Sequence, residues 1–159
     1  MTTGGAPAVA IDLDGVLADT HALWRDWLAS SAPVLEVDVE GLPDDRAEAA
    51  RALEDGRAGN WRTLLERFAE ERAPVYVRRE PATGAALRTL AAGGRRIGVF
   101  TDAPEQLARV VVSQLGVDRR IDALEAGADA LPRLLARIGP DAVIVRTRSE
   151  LEGAVRGST

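Results

Sequence analysis

Residues 8–20 read A-V-A-I-D-L-D-G-V-L-A-D-T, and this stretch sets the rest of the chain in order. A short apolar run, Val9 to Ile11, stops at two carboxylates, Asp12 and Asp14, one residue apart. Gly15 then permits a sharp turn. Buried strands seldom finish in paired acids unless negative charge is needed there. Residues i and i+2 of a strand point to the same side, so both carboxylates can face one cavity. Open α/β sheets bind ligands at the C-terminal ends of their strands. Two acids in such a place can divide labour, one as ionised nucleophile and one as proton donor.

At 159 residues the chain has the size of one domain with room for a small insertion, and 46% hydrophobic residues suffice for a core. The net charge of −5 argues against an electrostatic grip on nucleic acid or on an anionic membrane. Without cysteine there are neither disulfides nor thiolate metal sites. No apolar run has the length of a membrane span, and residues 1–7 lack the parts of a signal peptide, so a cytoplasmic location is expected. All 20 basic residues are arginine, so any role that needs an ammonium falls to a guanidinium or goes unfilled.

Residues 1–6 read as a loose Gly/Thr-rich tail ahead of a strand from Ala8 to Leu13. Asp19 or Thr20 is placed to cap a helix with Leu23, Trp24, Trp27 and Leu28 on one face. His21, the single histidine, reads as a surface or packing residue. Ser30 to Pro43 is irregular, either loop or short strand. Asp44 to Asp55 reads as a helix ended by Gly56, and Asn60 precedes another with Trp61, Leu64, Leu65, Phe68 and Ala69 in one stripe. Arg57, Asn60 and Arg62 are the residues of this region that a cleft could use. Pro74 to Pro81 reads as an extended return.

Beyond it the chain alternates. Helices are expected at Ala82–Ala92, from Pro104 to Leu115, at Asp129–Ile138 and after Ser149 as its cap. Strands are expected at Arg96–Thr101, Ile121–Leu124 and Ala142–Val145. That alternation predicts a doubly wound, Rossmann-like parallel sheet.

The stretch D-L-D-G-V-L-A-D (Asp12–Asp19) resembles the first motif of the haloacid dehalogenase-like superfamily, whose members are mostly magnesium-dependent phosphatases. The resemblance implies that Asp12 is a nucleophile forming an aspartyl-phosphate and Asp14 a general acid/base. V-F-T-D-A-P-E (Val99–Glu105) is similar to the second motif, which makes Thr101 a hydroxyl donor to the phosphoryl group, with the N–H of Asp102 in support. The family's third motif is a basic residue near the start of the helix after the third strand. In E-A-G-A-D-A-L-P-R the nearest candidate is Arg133, with loss of the function as the alternative.

The fourth motif is one or two acids after the last strand. V-I-V-R-T-R-S-E-L-E offers Glu150 if one residue is deleted, with Arg146 at or beside the other acid's place, where it could fork onto phosphate oxygens. The implied Mg²⁺ shell is then Asp12, the Asp14 carbonyl and Glu150, a weakened set. By the same resemblance residues 1–18 and 79–159 form the α/β core and residues 19–78 a small helical cap. The expected function is hydrolysis of a small phosphorylated metabolite, at reduced activity. The alternatives are a degenerate relative that binds an anion or protein partner without turnover, and a subunit that associates through its cap.

Overall fold

The computed structural model describes residues 5–157, so most of the Gly/Thr-rich start lies outside the described residues. Four parallel strands, β1 (Val9–Asp12), β2 (Ile97–Thr101), β3 (Ala123–Ala126) and β4 (Val143–Val145), form one sheet in the order β3-β2-β1-β4. The register sets Ile11 beside Val99 and Val145, and Asp12 beside Phe100. From β1 the chain winds outward through β2 and β3, then returns to the far side of β1 as β4. The reversal falls at the C-terminal end of β1, where an open sheet leaves a crevice. Asp12 is there.

The helices follow the apolar periodicity: α1 (His21–Leu35), α2 (Arg46–Asp55), α3 (Trp61–Tyr76), α4 (Pro81–Ala92), α5 (Glu105–Leu115), α6 (Ala130–Ile138) and α7 (Arg148–Arg156). Alternate strand residues face opposite ways. Val9, Ile11, Ile97 and Val99 join the large core with helices α1 to α5 and α7, whereas Ala10 and Phe100 meet α6 on the other face. Gly98 makes that second contact close: a Cβ there would stand 2.6 Å from Leu134 Cδ1. The three helices inserted between β1 and α4 share the large core instead of forming an independent one, with Trp27 lying between Trp24 and Trp61 at centroid distances of 5.2 and 6.3 Å.

Two expected boundaries move for one reason. The helix from His21 continues through Pro33, and the one from Trp61 through Pro74, so neither Ser30 nor Pro74 begins an irregular segment. A proline in the last turn forfeits a single backbone bond, and the Tyr76 hydroxyl, bonded to Asp26 of α1, anchors the end of α3. The third strand lies two residues later than expected. Thr147, not Ser149, caps α7, its hydroxyl accepting from the N–H of Glu150 at 3.1 Å.

The turn after β1 depends on Gly15. A Cβ at this position would lie 2.1 Å from the carbonyl oxygen of Arg146, at the end of the neighbouring strand. Backbone cannot yield as a flexible side chain does. Gly15→Ala is therefore expected to cost about 1–3 kcal/mol, measured by urea unfolding.

Candidate active site

Asp12 ends β1 and caps the turn it starts, accepting the N–H of Asp14 at 3.1 Å. Its side chain is 25% exposed, and Arg146 Nη1 stands 3.9 Å from its Oδ2. Burial lifts the Asp12 carboxyl above its ordinary value, with Asp14's charge adding to the rise. The N–H groups of Asp14 and Gly15 and the Arg146 charge offset only part of that.

Asp14 has no such freedom. Its Oδ1 accepts the Thr20 N–H at 2.9 Å and the Thr20 hydroxyl, and its Oδ2 accepts the Thr101 hydroxyl at 2.9 Å and Arg46 Nη2 at 2.5 Å. Burial favours its neutral form, but the Arg46 charge and the hydrogen bonds from Thr20 and Thr101 prevail and hold the carboxyl below the usual range. Asp14 rests here as a fully satisfied anion.

Arg46, the first residue of α2, is the functional group that sequence reasoning missed. Its side chain is 1% exposed and reaches from the helical insertion into the strand ends. It donates to Asp14, to the Thr20 hydroxyl and, through Nη2 at 2.7 Å, to Asp102 Oδ1. Asp45 caps α2 by accepting the Glu48 N–H, which starts the helix where Arg46 can enter. Nothing in D-D-R-A-E sets this arginine apart from its fellows in sequence.

Thr101 ends β2 with 2% exposure, and its oxygen also accepts the Ala103 N–H at 3.2 Å. Asp12, Thr101, Asp102 and Arg146 open on one cleft of about 410 Å³, closed on the far side by the start of α6. The Arg146 guanidinium also lies 5.3 Å from the centroid of the Phe100 ring. Arg57, Asn60 and Arg62 line no part of this cleft; Arg62 instead pairs with Glu54 at 2.5 Å and covers Trp61.

Arg133 is turned elsewhere. It donates to Glu125 at 2.5 Å and to the carbonyls of Ala126 and Ala128 at 2.6 and 2.7 Å, pinning the loop after β3. Asp129, Ala130, Leu131 and Pro132 face the cleft in its place, and none of them is basic. Glu150 is also withdrawn. Its carboxylate folds back to accept the Thr147 hydroxyl and the Arg146 N–H, both at 3.4 Å, at the start of its own helix. It borders the groove beside β4 that includes Ala6 and Arg95, not the Asp12 cleft.

The donors around Asp12 do not fit a resident Mg²⁺. Glu150 lies outside the cleft; of the other carboxylates lining it with Asp12, Asp102 is bonded to Arg46, Asp45 caps α2 and Asp129 stands at the start of α6, while the Arg146 guanidinium lies 3.9 Å from Asp12. Another trio, Asp14, Asp19 and His21, brings ligand atoms within 4.8 Å of one another. Both Asp14 oxygens in that trio are already committed, and Asp19, just before the cap residue Thr20, accepts the His21 N–H at 2.9 Å.

The carboxyl shifts have opposite signs, and so do their consequences. Asp14, depressed, contributes stability that is present above its ordinary value of 3.8 and lost as pH falls through its native value. Asp12, raised, contributes stability that is present below 3.8 and lost as pH rises through its native value. Carboxylate NMR titration should find Asp12 titrating above 3.8 and Asp14 below it.

The fold has several solved counterparts. CbbY from Rhodobacter sphaeroides, in complex with phosphate, matches with TM-score 0.60 at 15% identity, over 82% of this chain and 70% of its own. A putative beta-phosphoglucomutase from Thermotoga maritima matches with TM-score 0.56 at 17% identity, over 95% and 82%. A HAD phosphatase from Thermococcus onnurineus gives TM-score 0.56 at 16% identity, over 96% and 99%. No relative among curated proteins emerges from comparison of the sequence. No helix among the described residues is long and apolar enough to cross a membrane. The haloacid dehalogenase-like hydrolase family model matches residues 6–142, and with the sheet order and the D-x-D-G turn at the end of β1 this chain belongs to that family.

Proposed function

We propose that this chain is a phosphomonoester phosphatase of low turnover, acting on a small phosphorylated metabolite. The observation that supports it is the shared cleft. The Asp12 carboxylate and the Thr101 hydroxyl stand at the ends of adjoining strands with Arg146 beside them. An Asp12 oxygen attacks phosphorus, the ester oxygen leaves with a proton from Asp14, and an acyl phosphate remains. Water then gives its proton back to Asp14 and attacks phosphorus, releasing phosphate and restoring Asp12. Thr101 and Arg146 hold the phosphoryl oxygens. The similar Rhodobacter sphaeroides protein is described with phosphate and, as a mutant, with xylulose-(1,5)bisphosphate, which agrees with a phosphate ester as substrate.

Electrostatics argue for a slow enzyme. Asp12, Asp14, Asp45, Asp102 and Asp129 confront two guanidiniums, Arg46 and Arg146, so the site keeps an excess negative charge before a phosphate arrives. One unmatched charge at about 4 Å and an effective dielectric near 20 is worth on the order of 4 kcal/mol. Half of that slows a reaction about 30-fold. Asp14 must also exchange Arg46 for a proton before it can serve the leaving group.

A second reading, binding of an anion or partner without turnover, is favoured by the full set of acceptor contacts on Asp14. A screen of small phosphate esters, with and without Mg²⁺ and with chelator, separates the two. Turnover of at least one ester above the protein-free rate, little changed by chelator, supports the phosphatase. Saturable phosphate binding with no turnover of any ester leaves the second reading.

A further inference from the structure

We propose a second anion site, sharing no lining residue with the Asp12 cleft, that takes a compact phosphorylated molecule. It is a cavity of about 290 Å³ bordered by the start of α4, the end of α5 and Leu17, the last residue of the turn after β1. Three arginines, Arg79, Arg88 and Arg120, line it. In a chain of net charge −5 such a convergence of cations on one cavity calls for an explanation.

Two of the three are laid over glycines. Arg79 is fixed by one bond, Nε to the Gln114 carbonyl at 3.0 Å, and its Cζ lies 3.0 Å from where a Gly116 Cβ would be. Gly116 therefore meets two demands at once, a φ of +73° and room for the guanidinium. Arg88 folds back one helical turn, so that its Nη1 lies 3.7 Å from the Cβ position of Gly84. The Arg79 terminal amino groups and the side chains of Arg88 and Arg120 have no acceptor among the described residues. The single acid on the wall, Glu80, is already paired with Arg148 at 2.7 Å. Three like charges with spare donors favour an oxyanion, because forked guanidiniums match phosphate geometry. Leu17, Leu115 and Val117 supply apolar wall, so the volume suits a small phosphate ester with a carbon body.

An occupant would touch both chain crossings between the sheet and the helical insertion. Leu17 precedes the outward crossing, and Arg79 and Glu80 belong to the returning one. The inference does not depend on turnover at Asp12.

The test is amide NMR of the full chain titrated separately with inorganic phosphate, pyrophosphate and glycerol phosphate. The expected result is saturable shifts at Leu17, Gly84 and Gly116, with affinity at least about tenfold weaker in the double variant Arg88→Gln/Arg120→Gln. Arg109→Gln, the same charge change at an arginine paired with Glu105, should leave those shifts in place, as should Asp12→Asn. Stronger response to glycerol phosphate than to phosphate identifies an ester as the ligand; equal response identifies the bare anion. Shifts confined to residues around Asp12, no saturation, or equal weakening by Arg109→Gln would overturn the proposal.

Discussion

Arg46→Ala is expected to destabilise the protein by about 3–5 kcal/mol, the cost of breaking a buried ion pair from one side. The asymmetry of its partners explains why. Asp102 is 39% exposed and can be solvated once the guanidinium is gone, but Asp14, at 12%, cannot. The burial that already works against the Asp14 anion would then act without its main opponent. Asp14 should shift from below its ordinary value to above it, and the pH dependence of stability attributed to this group should reverse. Arg46→Met, which keeps volume but not charge, should lose nearly as much, whereas adding Asp14→Asn to it should recover a large part. Urea unfolding of the single and double variants decides the matter. A loss below about 1 kcal/mol for Arg46→Ala would place the network with ordinary surface ion pairs.

Asp12→Asn should abolish phosphate-ester hydrolysis, with a loss of at least about a thousandfold, or 4 kcal/mol of barrier. The substitution is nearly isosteric and the amide oxygen can still accept the Asp14 N–H, so the turn after β1 should survive. What disappears is the anionic oxygen that bonds to phosphorus. Asp14→Asn should cost less, about 10²–10⁴, because a proton donor contributes to a step that the nucleophile makes possible. Initial rates with the best ester from the screen, alongside circular dichroism to confirm folding, check both.

The elements that organise this fold could be read because each rests on a local rule. Strand β1 is an apolar run ending in D-x-D-G, and α3 and α5 follow apolar stripes at helical spacing. Gly15 announces a turn, and only the structure adds that the Arg146 carbonyl occupies the space of its missing Cβ. Arg46 was illegible for the opposite reason. Its role depends on where α2 begins relative to strand ends far away in sequence, and no local pattern encodes that distance. The C-terminal segment misled through an ambiguity. T-R-S-E (Thr147–Glu150) satisfies the pattern of a helix cap as well as that of a displaced acidic motif, and the cap prevails because the Thr147 hydroxyl takes up an orphan N–H of α7, that of Glu150. Arg133 is basic and in the right helix, yet one turn along the helix brings it to Glu125 and two loop carbonyls instead.

The central claim is that Asp12 receives phosphorus inside a pocket it shares with Thr101. The most direct measurement is acid quenching of the protein during turnover of acetyl phosphate, followed by peptide mass mapping. The predicted result is a hydroxylamine-labile phosphoryl group on the peptide that contains Asp12, missing from Asp12→Asn. An adduct that persists in Asp12→Asn, or turnover with the phosphoryl group on another residue, would contradict it.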